Sequence, residues 1–144
     1  MKSYIVKIKI IELEPESYHI ITRIKVENRF LHFIIDTGAT HTCMDKDSFI
    51  YLYPQEPILA YEGDSAGIAS NGFKTEVTTF RNFKIGRMVI PEQKIILLDL
   101  KNINQIYEML GKPKIEGIIG GDFLVKYNAI IDFKAKEMKL WKNS

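Results

Sequence analysis

Apolar and polar residues alternate with a period of two along much of the chain, which is the pattern of half-buried strands. From Tyr4 to Leu13 the alternation places Tyr4, Val6, Ile8 and Ile10 on one face and Lys7 and Lys9 on the other, predicting a first strand. Glu14-Pro15-Glu16-Ser17 ends it. A second strand is predicted with Ile20, Thr22, Ile24 and Val26 inward and Arg23, Lys25 and Glu27 outward, and Asn28-Arg29 turns into a third, Phe30 to Ile35. Thr40 to Met44 reads as a returning strand, Asp45 to Phe49 as a short helix or turn, and Tyr51 to Pro57 as a loop. Phe80 to Met88 is a further strand ending in a Gly86-Arg87 turn, and Ile95 to Leu98 suits a strand buried on both faces. Ile103, Ile106, Tyr107 and Leu110 recur at helical spacing and predict an amphipathic helix from Asn102 to Leu110, stopped near Gly111 and Pro113. Gly121 to Tyr127 is a second short helix, and Ala129 to Phe133 with Met138 to Trp141 form a closing hairpin. The expected class is mostly β with two or three short helices.

One strand ends in chemistry. Phe33-Ile34-Ile35 runs directly into Asp36-Thr37-Gly38-Ala39-Thr40, so a carboxylate is delivered on a rigid apolar support, where ionisation is costly unless the surroundings reward it. Gly38 lets the backbone turn, and Thr37 and Thr40 supply hydroxyls that can hold a loop. Taken alone, Asp-Thr-Gly is equally ordinary turn chemistry. Far downstream, Gly117-Ile118-Ile119-Gly120-Gly121-Asp122-Phe123-Leu124 repeats the theme of paired apolar residues followed by glycine and a short helix.

Together the two stretches resemble the retropepsin-like aspartic proteases, in which an apolar-apolar-Asp-(Thr/Ser)-Gly-Ala loop lies beside a later apolar-apolar-Gly segment. The resemblance runs from about Tyr18 to Trp141 and implies a single domain over residues 1–144, folded as a closed β-barrel with a flap hairpin. It implies Asp36 as the catalytic acid and Thr37 as a lock across a two-fold axis. Gly38 and Ala39 would offer backbone groups to substrate, and Ile118, Ile119 and Gly120 would support the acid loop. Read alone, the glycine-rich stretch around Asn71-Gly72 is a plain surface hairpin. The resemblance makes Ile68 to Phe73 the flap, with Ile68, Ala69, Ser70, Asn71 and Gly72 against substrate. Two departures from retroviral members stand out: Thr40 and Gly121 occupy positions where those enzymes commonly carry an acid and an arginine, which points to the non-viral, bacterial branch.

Peptide hydrolysis by carboxylates needs two of them at one water, one ionised and one protonated. Closely held pairs sharing a proton in this way are the known behaviour of aspartic proteases as a class. No second Asp-(Thr/Ser)-Gly occurs; Asp64-Ser65-Ala66 lacks the glycine. The expected enzyme is therefore a homodimer in which Asp36 meets its symmetry mate, acting on a peptide or protein substrate with no metal and no cofactor. The competing reading is a non-catalytic peptide-binding or dimerisation module with the same fold.

Composition narrows the field without adding to the chemistry. The 144 residues are 46% hydrophobic and 26% charged, as in ordinary globular proteins, and the net charge of +2 gives no footprint for nucleic acid. No apolar run approaches a membrane span, and no signal peptide is evident, so the expectation is a soluble, cytoplasmic protein. Cys43 is the single cysteine, which precludes an intrachain disulfide; beside His41 it reads as a buried thiol rather than a nucleophile. His19, His32 and His41 lack metal-ligand spacing. Gly117-Ile118-Ile119-Gly120 is too apolar for a nucleic-acid-binding Gly-x-x-Gly loop.

Overall fold

A computed structural model describes residues 1–60 and 75–143. In chain order the elements are β1 (Lys2–Lys7), β2 (Lys9–Glu14), β3 (Ser17–Val26), β4 (Arg29–Ile35), β5 (Cys43–Asp45), α1 (Lys46–Leu52), β6 (Leu59–Ala60) and β7 (Glu76–Ile85). They continue with β8 (Met88–Leu98), α2 (Lys101–Met109), β9 (Ile115–Ile119), α3 (Gly121–Lys126), β10 (Ile130–Asp132) and β11 (Glu137–Lys142). The predicted flap, Ile68 to Phe73, lies outside the described residues.

Strands β3, β4, β9, β5, β8 and β7 pair in that order, and β7 returns to β3 through Ile24 with Ile85 and Lys25 with Lys84, closing a six-stranded barrel. Inward positions on successive strands fill it: Thr22, Ile24 and Val26 from β3, and Leu31, Phe33 and Ile35 from β4, are all buried. Phe33 stacks on Phe80 with ring centroids 6.1 Å apart. Gly117 sits opposite Phe33 in the β4–β9 pairing because a Cβ there would lie 2.2 Å from the ring. The glycine makes room for the aromatic.

A second sheet, β1-β11-β10, closes one side of the barrel with Val6, Met138 and Leu140, which belong to the same core. A smaller cluster of Ile21, Ile34, Leu100, Tyr107 and Ile115 lies beneath α2, so β4 is covered on both faces near its end. Asn104 pins α2 to β9 by a reciprocal pair: its Nδ2 donates to the Ile115 carbonyl (2.8 Å) and its Oδ1 accepts from Ile115 N–H (2.7 Å). Asp45 caps α1 by accepting from Ser48 N–H (3.1 Å) and uses its other oxygen to accept from Leu100 N–H (3.1 Å).

Several expected boundaries shift. The first strand divides at Ile8, whose N–H donates to the Lys136 carbonyl, so that β1 joins β11 and β2 joins β3. Met88 opens β8 rather than ending the preceding strand, and Ile95 to Leu98 is the end of that longer strand, with Leu98 exposed. Helix α1 runs on to Leu52, into the stretch expected to be loop. On α2, Tyr107 is buried and Ile103 packs against its cluster, but Ile106 and Leu110 face outward.

Candidate active site

Strands β4 and β5 follow one another in sequence but do not pair; β9 lies between them, parallel to β4 and antiparallel to β5. The loop joining them, residues 36–42, must therefore cross the end of β9. Asp36 N–H donates to the Ile119 carbonyl (2.9 Å), which extends the β4–β9 ladder to the acid itself. Beyond that bond the chain turns: Ala39 N–H donates to the Asp36 carbonyl (3.1 Å) and Gly38 N–H to Asp36 Oδ1 (2.9 Å). The acid is thus fixed by buried strand on one side and left exposed on the other.

Ile118 and Ile119 lie opposite Ile34 and Ile35, and Ile119 and Gly120 are buried directly behind the loop. Thr37 and Gly38 are exposed. Ala39 has both backbone groups engaged within the chain, its carbonyl accepting from Gly121 N–H at 2.7 Å. Any contact with substrate uses that carbonyl's second lone pair. Ile68, Ala69, Ser70, Asn71 and Gly72 lie outside the described residues.

Two residues that sequence reasoning passed over hold the loop to α3. Thr42 is buried, and both its N–H (2.9 Å) and its hydroxyl (2.7 Å) donate to Asp122 Oδ1. The same hydroxyl accepts from Gly120 N–H at 3.1 Å, and Asp122 N–H donates to the Thr40 carbonyl at 3.3 Å. A neutral hydroxyl-to-carboxylate link thus ties the two stretches together, in a chain with Thr40 and Gly121 where an acid and an arginine were noted as missing. Their one signal in the sequence was an acid directly after Gly120-Gly121. Thr42→Val keeps the shape but strands Gly120 N–H and removes one of the three donors to Asp122 Oδ1, leaving the Thr42 and Phe123 N–H groups on it, so it is expected to destabilise by about 1–3 kcal/mol in denaturant unfolding. An unchanged midpoint would remove the link from the account.

Cys43 is buried, and its thiol donates to the His41 carbonyl at 3.2 Å. Burial, reinforced by the carboxylates of Asp122 and Asp36, pushes its pKa up to about 12. It is therefore a structural thiol. Native protein is expected to react with iodoacetamide near neutral pH about 10³-fold more slowly than unfolded protein, in line with the smaller thiolate fraction.

His19 lies on β3 one residue before Ile20, which pairs with Ile35, so it stands beside Asp36. Its Nδ1 is 2.8 Å from the Tyr107 hydroxyl and the two rings stack, which gives the buried phenol a partner. Burial lowers the His19 pKa while Asp36 opposes the shift; His32 is lowered by burial, then by Arg23 and Lys9. Both therefore bind protons more weakly in the folded chain than in the unfolded one. The resulting stability is present above the ordinary histidine value of 6.5 and falls as pH drops through it. His19→Gln/His32→Gln should show a shallower loss of stability than the parent between about pH 7 and 5; an identical slope would contradict this.

Among the described residues no group of three or more His, Cys, Asp or Glu is placed to hold a metal ion, and no helix is long and apolar enough to cross a membrane. Residues 22–123 match the family described as "Aspartyl protease". No curated protein matches the chain. Among solved structures, the chain is similar to a retropepsin-like aspartic protease from Rickettsia conorii, with a TM-score of 0.55 and 17% identity over 96% of this chain and 90% of that one. It is also similar to the retroviral protease-like domain of Ddi1 from Leishmania major, with a TM-score of 0.51 and 17% identity over 83% of this chain and 86% of that one. At such identity the likeness is one of fold, and the fold is retropepsin-like.

Proposed function

The chain belongs to the aspartyl protease family, and from that premise we propose that it is an aspartic endopeptidase whose catalytic centre forms from two copies, Asp36 supplied by each. The observation that carries this reading is the placement of Asp36. It is exposed at the end of a strand whose last residues are buried, and the sequence holds no second Asp-(Thr/Ser)-Gly to complete it. A two-fold axis through the loop supplies the missing acid at no cost in new sequence.

In that dimer the two carboxyls share one proton, because like charges so close cannot both ionise. The ionised one takes a proton from a water held between them as its oxygen attacks the scissile carbonyl carbon. The protonated one gives its proton to the carbonyl oxygen, so a neutral diol forms. As the diol collapses and the C–N bond breaks, one diol hydroxyl gives its proton to the ionised carboxylate while the protonated carboxyl gives its own to the leaving nitrogen, so one shared proton remains on the pair. Thr37, exposed beside the acid, would bond across the axis; Gly38, Ala39 and the segment Ile68 to Gly72 would line an extended peptide; Ile118, Ile119 and Gly120 hold the loop. The test is cleavage of an unstructured peptide mixture against protein concentration, with sedimentation in parallel. Activity per chain should rise as dimer forms and then level off. A dimer that cleaves nothing would leave the non-catalytic module as the better reading.

A further inference from the structure

A groove of about 1020 Å³ runs between β1 and the outer face of β3 and β4. One wall carries Lys2, Lys7 and Lys9; the other carries Arg23, Lys25, Lys84 and Arg87. No Asp or Glu lines it. Ion pairs among the described residues join Lys46 to Glu76 and Arg81 to Glu56 and Glu92, so none of them neutralises a groove cation. Seven of the chain's 20 Lys and Arg residues therefore line one concavity, a field that the net charge of +2 conceals. His32 lies in the same groove, where burial lowers its proton affinity first and the nearby Arg23 and Lys9 lower it further.

The shape and the aromatic rings select among anions. Among the described residues β1 is the edge of its sheet, paired to β11 on one side only. An edge strand can pair with an incoming extended peptide through backbone N–H and C=O groups, which a polynucleotide cannot match. Non-specific binding of single-stranded nucleic acid relies on open aromatic faces. Here Arg23 lies over the Phe30 ring at 4.4 Å with Lys25 at 5.7 Å, and Lys2 covers Tyr4 at 5.1 Å. The rings are already capped by cations. We infer that this groove docks an extended, acidic polypeptide segment, its alternate carboxylates reaching the two basic walls.

Phe30 and Asp36 stand six positions apart along β4 and its end, about 20 Å at the rise of a strand. An acidic segment in the groove therefore lies some six or more residues from the bond cleaved at Asp36, which would make the protease select substrates with an acidic stretch to one side of the cut. This selective role rests on the proteolytic reading; the docking does not.

The test keeps them apart by using the Asp36→Asn chain and anisotropy of a labelled peptide of about eight residues, a length that spans β1 at ~3.3 Å per residue, with Glu at alternate positions. Saturable binding is expected. It should weaken about tenfold or more when Gln replaces Glu, or in Arg23→Glu/Lys25→Glu/Lys84→Glu, and fade as salt rises from about 0.05 to 0.5 M. All three substituted side chains are exposed, so the melting curve should be unchanged. Equal binding of the Gln peptide, indifference to the charge reversals, or tighter binding of an oligothymidine would overturn the inference. If docking holds and wild-type protein cleaves peptides without regard to acidic flanks, only the selective role falls.

Discussion

Asp36→Asn is expected to abolish peptide hydrolysis, by roughly 10²–10⁴-fold or more in kcat, while leaving the fold and the dimer intact. The amide cannot take a proton from water, so the step that generates the nucleophile is lost. It can still accept from Gly38 N–H through its Oδ1, and the backbone bond from residue 36 to the Ile119 carbonyl does not involve the side chain. The substitution therefore separates chemistry from architecture. It also tests the sharing of the site between copies. If each dimer needs both carboxylates, an excess of Asp36→Asn chains draws wild-type subunits into dead heterodimers, and at equal amounts wild-type activity falls to about half. Activity that ignores the variant altogether would show that one chain suffices, and the two-copy centre would have to be abandoned.

What the sequence made legible follows from what local pattern reports. Phe33-Ile34-Ile35-Asp36 could be read directly, because three bulky residues covered on both faces and a terminal acid are properties of consecutive positions. The division of the first strand at Ile8 could not. The alternation of Tyr4, Val6, Ile8 and Ile10 runs through unbroken, since it records which face is covered and not whether β11 or β3 is the neighbour. The same limit applies to α2: helical spacing identified a stripe, but Asn104 and Tyr107 set how the helix sits on β9 and β3, and Ile106 and Leu110 are left outside.

The site itself shows where local reading stops. Asp36 and the Ile118-Ile119-Gly120 segment could be singled out from the sequence, yet the side-chain bonds that tie the two stretches together join residues 78 to 80 positions apart, Thr42 with Gly120 and Asp122. Nothing in the neighbourhood of Thr42 marks it as different from Thr37 or Thr40. The insertion of β9 between β4 and β5 makes the difference, because it turns one threonine inward onto α3 and leaves the others on the exposed turn. The basic groove was hidden for a related reason: its cations come from separate segments, each of which reads as the solvated face of a strand.

Gly120→Ala is expected to be the most damaging single methyl in the loop region, lowering stability by about 3 kcal/mol or more. Conformational freedom is not the reason, since Gly120 has φ −101° and ψ −176°, extended backbone that any residue adopts. The reason is approach: a Cβ there would lie 2.6 Å from both the carbonyl carbon and the oxygen of His41, and 2.9 Å from the Ala39 carbonyl oxygen. These are main-chain atoms of the loop that carries Asp36. That loop cannot simply yield, because Gly121 N–H holds Ala39 and Gly120 N–H holds the Thr42 hydroxyl. Relief must come from separating β9 from the loop, which also displaces the acid. Gly121→Ala is the control, since its Cβ would meet the Ala39 oxygen at 3.4 Å, and it should cost no more than about 1 kcal/mol. Denaturant unfolding of the two variants decides the matter. Equal midpoints would mean that the close crossing of residues 39–42 over Gly120 is not what holds Asp36 in place.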